Sequence, residues 1–389
     1  MESYAAGETS PALLEETIGA NLERTVAAHP DGEALVEVAS GRRWTWREFD
    51  DDVNALARGL MCAGVAVGDR VGIWAPNCAR WTLTQYAAAK IGAVLVNVNP
   101  AYRTHEFAYA ANQSGVSLLV SATRFKDSDY AAMIAETAGE CPTIERVVFL
   151  DEEASWQALV AEGEAVPEAE LRVRSAGLLP EDPINIQYTS GTTGRPKGAT
   201  LSHRNILNNG FFTTELINFS EVDRLCVPVP FYHCFGMVMA NLGCTSHGAT
   251  MVVPAPAFDP EVTLRTIAAE RCTAVYGVPT MFIAMQNHPT FAEHDLSSLR
   301  TGIMAGSVCP VEVMKRCIEE MHMAEVSIAY GMTETSPVSC QTRDDDDLER
   351  RTASIGRAHP HVEVKVVDPV TGATVPRGSP GSTAPRATR

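Results

Sequence analysis

The chain has 389 residues, 45% of them hydrophobic and 20% charged, with a formal net charge of −17; this predicts a globular protein of more than one packed unit. So acidic a chain is not expected to hold nucleic acid, whose phosphates are gripped by clustered Lys and Arg. Ten scattered cysteines without a C-x-x-C pair, a polar start unlike a secretory signal, and no uninterrupted apolar window of roughly 18 residues predict a soluble cytoplasmic protein.

Along the chain, segments with helical spacing alternate with short β-branched runs. Helices are expected over 11–28, 46–62, 81–91, 105–113, 127–138, 259–270 and 310–322. Strands are expected at 70–75, 93–98, 117–122, 146–150, 249–254, 273–278 and 302–306. That alternation predicts an α/β fold with parallel or mixed sheets covered by helices. A first α/β subdomain is expected over 1–180 and a second over 181–378. The acidic stretch 151–170 reads as a surface excursion, and RDDDDLERR at 343–351 reads as a solvated loop. Residues 379–389, which lack a hydrophobic pattern, are expected to form an aberrant, unstructured tail.

Between the apolar run INIQY and the helix-like NILNNGFF lies YTSGTTGRPKG, residues 188–198. Seven of the ten residues 188–197 are Thr, Ser, Gly or Pro, poor material for a helix or strand interior. Glycines let backbone N–H groups approach a phosphate, threonine hydroxyls add donors, and a lysine adds a mobile cation. The loop is therefore expected to hold a polyphosphate such as ATP. It is not a Walker A element, because Pro196 stands where the second Gly belongs and Gly198 follows Lys197.

YTSGTTGRPKG resembles the phosphate loop of the adenylate-forming superfamily, which includes acyl-CoA synthetases, luciferases and peptide-synthetase adenylation domains. YGMTETSP at 330–337 resembles the same superfamily's second motif, and PFYHCFG, VYGVPTMF and IMAGSVCP match further segments in order. The resemblance runs from about residue 21 to 378. It is closest to medium-chain fatty acyl-CoA synthetases, and it implies the large N-terminal domain of that fold.

The resemblance assigns ATP contacts to Thr189, Ser190, Gly191, Thr192, Thr193, Gly194, Lys197, Gly306, Ser307, Tyr330, Gly331, Met332, Thr333, Glu334 and Thr335. Tyr330 would lie against the adenine, Thr333 would reach the α-phosphate, and Thr193 and Glu334 would hold Mg²⁺. Lys197, Thr333, Glu334 and His233 are the expected catalytic residues. His233, Gly277, Val278 and Gly306 would shape the acyl site, with Met281 a further tunnel candidate. His233 is expected to position substrate rather than act as a base, because a carboxylate has no proton to lose at neutral pH. The implied reaction joins a fatty acid to coenzyme A at the expense of ATP, through acyl-AMP. Peripheral membrane contact and a homodimer are compatible with this reading.

The superfamily continues after VPRG with P-G-E-L, a ribose-gripping Asp and a small C-terminal domain carrying an adenylation lysine. Here Pro380-Gly381 is followed by Ser382-Thr383. That departure resembles a reading-frame shift or premature stop, and it predicts weak nucleotide binding with little acyl-CoA synthesis. Two alternatives stand beside the fatty acyl-CoA synthetase: an aryl-acid CoA ligase or adenylation domain, and a non-catalytic fragment or pseudoenzyme that binds ATP or acyl groups.

Overall fold

A computed structural model describes residues 1–189 and 196–387. Two sheets dominate it. The first has six strands in the order Lys197–Ser202, Pro183–Thr189, Val94–Asn97, Arg70–Trp74, Val116–Ser121, Arg146–Phe149, all parallel except the first pair. The second has nine, running from Arg357–Ala358 through Val338–Gln341, Glu325–Gly331, Thr301–Ala305, Ala274–Gly277, Arg224–Cys226, Thr250–Val253 and Glu33–Glu37 to Arg42–Thr45. Its interior pairs are parallel, while both ends close with antiparallel strands. The fold is α/β, as the alternation predicts.

The near-continuous apolar runs are explained by burial on both faces. Successive side chains of a strand point to opposite sides. Leu225, Met251, Ala274, Tyr276 and Ile303 therefore enter a large core shared with Val71, Ile73 and Leu95 of the other sheet and with Tyr86, Leu207 and Val238 of intervening helices. Their neighbours Cys226, Val252, Val275 and Met304 pack on the reverse face against Leu264, Ile267 and Met314.

Helix Trp46–Cys62 has the predicted limits because Thr45 and Glu48 form a capping box, each side chain accepting from the other's backbone N–H. The helix expected from residue 11 begins only at Ile18, where Thr17 caps it. The helix expected from 127 begins at Tyr130 behind the Asp129 cap.

Four expectations are corrected. The supposed surface excursion 151–170 contains helix Glu153–Glu162 and the start of helix Glu168–Ala176, which bury Trp156, Leu159 and Leu171. In the supposed solvated loop, helix Leu348–Ala353 buries Arg351, which donates to the carbonyls of Ala324, Val326, Asp344 and Asp346. Sheet membership crosses residue 180 in both directions: strands from 33–45 join the second sheet, while 183–202 joins the first. In the supposed tail, Ser382–Ala387 pairs antiparallel with Val362–Val367, which also pairs with Tyr4–Ala6. Pro385 is tolerated because this is an edge strand.

Replacing Arg351 with Ala leaves those four carbonyls without their cationic donor and should destabilise the fold by about 3 kcal/mol, read by denaturant unfolding. Two buried histidines make stability pH-dependent. Burial lowers His203 to about 4 and His359 to about 3, against an unfolded value of about 6.5. Between these limits the unfolded chain binds more protons, so stability is full above about pH 6.5 and falls as pH drops below it. Unfolding measured between about pH 6.5 and 5, before most carboxylates titrate, should show that slope, and His359→Gln should flatten it.

Candidate functional site

The first wall comes from the hairpin that carries the Thr/Gly loop. Thr189 and Lys197 face each other as the last cross-strand pair of strands Pro183–Thr189 and Lys197–Ser202. Helix Thr104–Ser114 holds both arms: the Tyr188 hydroxyl donates to the Ala110 carbonyl at 2.9 Å and the Tyr109 hydroxyl to the Pro196 carbonyl at 3.3 Å. Ser190, Gly191, Thr192, Thr193 and Gly194 lie outside the described residues.

The second wall is the turn after strand Glu325–Gly331. At Gly331 a Cβ would sit 1.8 Å from the Pro337 carbonyl oxygen, so only glycine lets the chain fold back there. Met332 N–H donates to that same oxygen at 3.0 Å. The Thr335 hydroxyl fastens the turn through the carbonyls of Met332 and Pro337. This leaves Thr333 buried and Glu334 exposed, with the Thr189 hydroxyl donating to Glu334 Oε1 at 3.0 Å.

The third wall is formed at the ends of two central strands. Gly306 follows strand Thr301–Ala305 with φ +90°, a left-handed conformation that suits glycine, and faces Val278. The fourth wall is segment 229–235. Buried Asn77 donates to the Val229 carbonyl at 2.9 Å and accepts from Phe231 N–H at 2.8 Å, while Asn97 donates to the Tyr232 carbonyl at 3.0 Å. His233 is presented at the start of the wide helical segment Phe235–Leu242, a π-helical form often found at functional sites.

Together these walls enclose a cleft of about 600 Å³ lined by Thr189, Lys197, His233, Val278, Gly306, Gly331, Met332, Thr333 and Glu334, with Val229, Pro230 and Phe235. Of the other expected residues, Gly277 is buried behind the wall against Phe282. Ser307, Tyr330 and Thr335 are not among the cleft's lining residues. Met281 lines a neighbouring opening instead.

His233 is exposed toward the cleft, and desolvation by its neighbours lowers it from the ordinary imidazole value, which favours the neutral ring at pH 7. Burial pushes the Cys234 thiol up to about 11. The protonated thiol lies 3.5 Å from His233 Nδ1 and 3.8 Å from Thr333 Oγ1, and so links two walls. Cys234 and Phe235 are not expected from sequence, although both lie inside PFYHCFG; the aromatic character of that segment is the signal for Phe235, and Cys234 has none. Chemically, the cleft offers a cation, an exposed carboxylate, hydroxyls and a neutral imidazole above an apolar base.

Comparison with known proteins places this geometry. A family profile described as AMP-binding enzyme matches residues 22–383. A Bacillus subtilis (strain 168) protein carrying a provisional acyl-CoA synthetase name, YngI, is 43% identical over 387 residues, covering 95% of this chain and 70% of its own length. The zebrafish (Danio rerio) mitochondrial medium-chain acyl-CoA ligase ACSF2 is 42% identical over 398 residues, covering 97% of this chain and 66% of its own length. The chain thus spans about two thirds of these relatives. Among solved structures, ATP-bound MatB from Rhodopseudomonas palustris superposes with a TM-score of 0.81 at 26% identity, over 96% of this chain and 70% of that one.

Gly331→Ala should push the Glu334 turn away from Pro337 and loosen it locally. Amide hydrogen exchange at Met332 and Ser336 should accelerate by at least about tenfold, equivalent to about 1.4 kcal/mol of local opening. Unchanged exchange at both amides would contradict this account of the turn.

Proposed function

Because the chain belongs to the AMP-binding enzyme family, we propose that its cleft activates a carboxylic acid with ATP and that the chain is a fatty acyl-CoA synthetase by descent. The supporting observation is the convergence of Thr189, Lys197, Thr333 and Glu334, from two separate sheets, on one cleft beside His233. ATP binding is named for MatB, whose fold this chain shares, and medium-chain acyl groups are named for ACSF2.

The residues fit the chemistry. The acid's carboxylate attacks the α-phosphorus, the bond to the β-phosphate oxygen breaks, and pyrophosphate leaves with its electron pair. Lys197 stands where it can follow negative charge moving onto the leaving group, and Thr333 reaches the α-phosphate oxygens. The exposed Glu334 carboxylate, with the Thr189 hydroxyl beside it, offers the hard oxygen donors that Mg²⁺ prefers, and the bound ion would neutralise phosphate charge. Thr193 is the second proposed metal contact. Tyr330, Gly331, Met332, Gly306 and Ser307 are proposed around the adenine, and Val278 with Gly277 behind it around the acyl group. His233 orients the carboxylate, since its neutral ring can donate one hydrogen bond without trapping the anion in an ion pair.

In the second half-reaction a coenzyme A thiolate attacks the acyl carbonyl and AMP leaves. A neighbouring opening of about 420 Å³ shares Pro230 with the cleft and is lined by Arg103, Lys126, Tyr232 and Met281; its cations suit an anionic thiol carrier. Lys197 is the one lysine lining the cleft among the described residues. The ten free cysteines suit a reducing compartment such as the cytoplasm.

Calorimetric titration with Mg·ATP tests this reading. The protein should bind, and Glu334→Gln or Lys197→Ala should weaken affinity by at least about tenfold, the loss of one charge-assisted contact. Trapping acyl-AMP with hydroxylamine across fatty and aryl acids then gives the acid class. An absence of Mg·ATP binding, or affinities indifferent to both substitutions, would sink the proposal.

A further inference from the structure

Behind the cleft wall, one buried tyrosine has a hydroxyl that no described residue bonds. Tyr276 is fully buried, and among the described residues its Oη has no hydrogen-bond partner. Such a group is costly unless something satisfies it, so it calls for an explanation. Burial also keeps the phenol protonated, because its acidity is pushed well below that of an exposed tyrosine. The hydroxyl is therefore a donor in search of an acceptor.

Its position explains what that acceptor could be. Tyr276 and the cleft-wall residue Val278 are two residues apart on extended backbone, so their side chains share one face. Tyr276 consequently stands one layer deeper than Val278, about 7 Å along the strand at roughly 3.3 Å per residue. Phe235, which lines the cleft, stacks on the Tyr276 ring with centroids 5.7 Å apart and planes 26° apart. Phe235 thus joins the cleft lining to the buried tyrosine ring.

We propose that Phe235 and Tyr276 form the floor of the acyl pocket, and that Tyr276 selects a carboxylic acid carrying a hydrogen-bond acceptor near the end remote from its carboxylate. This rests on the acid-activating reading of the cleft. The acyl group displaces the Phe235 ring, runs over Val278, and brings a carbonyl or ether oxygen to the Tyr276 hydroxyl. Acids that end in plain hydrocarbon leave that hydroxyl unpaired and bind less well.

The test uses the full chain and stable acyl-AMP mimics in which a sulfamoyl group replaces the phosphate. One series carries alkyl chains of graded length, and a matched series carries a ketone one carbon from the far end. At one length the ketone should bind about tenfold more tightly than its alkyl isostere, the worth of one buried hydrogen bond with its partner otherwise unsatisfied. Tyr276→Phe should erase that preference and leave alkyl affinity unchanged. Because it removes only an unpaired hydroxyl, its melting temperature should equal or exceed that of the parent. Phe235→Leu, which keeps the apolar wall but frees the path, should preserve the ketone preference. A lack of preference at every length, or a preference that survives Tyr276→Phe, overturns the proposal while leaving acid activation intact. Failure of the sulfamoyl adenosine lacking any acyl group to bind overturns both.

Discussion

Three buried asparagines hold the cleft-lining segment 229–235 in place. Residues 229–235 leave the nine-stranded sheet, yet their backbone is gripped from the six-stranded side by Asn77 and Asn97. Asn97 is in turn fixed by Asn185, which donates to its Oδ1 at 3.0 Å from the neighbouring strand. Amides buried this way are costly unless paired, so the network has few alternative arrangements. It ties the hairpin that positions Thr189 and Lys197 to the segment presenting His233. Without it, two sheets could pack well and still leave the cleft's walls out of register.

The sheets themselves set where such a cleft can form. In parallel sheets covered on both faces, open space falls at the carboxyl ends of the strands, where loops depart. Gly306 and Val278 leave adjacent parallel strands there, and the Gly331 turn follows the next strand. Close backbone approach at Gly331 and positive φ at Gly306 then bring those loops together.

What was legible in the sequence follows from whether its cause is local. Helix Trp46–Cys62 is readable because its cap is written three residues apart, and the core strands because burial on both faces leaves unbroken apolar runs. The hairpin Glu33–Thr45 escaped notice because its charged residues obscure alternation, and it is held by a strand more than 200 residues away, Thr250–Val253. Arg351 looked like one member of a charged run, although two of its partners are the backbone carbonyls of Ala324 and Val326, on another segment. The strand at 382–387 has no apolar pattern and owes its form to pairing with Val362–Val367. The same division applies to the cleft. Contiguous motifs announced Thr189, Lys197, Thr333 and Glu334, whereas Asn77, Asn97 and Cys234 act through contacts that no short pattern encodes.

The net charge of −17 gives the cleft's few charges a particular weight. A strongly acidic surface opposes the approach of a nucleotide polyphosphate, so recognition must come from groups at short range rather than from the protein's overall field. On the proposed function, Lys197 and the hydroxyls of Thr189 and Thr333 would provide such groups, and a metal ion at Glu334 would reduce the charge to be accommodated. A protonated imidazole at His233 would also attract the phosphates, but it would compete with Lys197 for them and hold the carboxylate in an ion pair. Desolvation keeps that ring neutral. On the proposed function, the cleft separates two tasks, with Lys197 at the phosphate end and a neutral imidazole toward the acid.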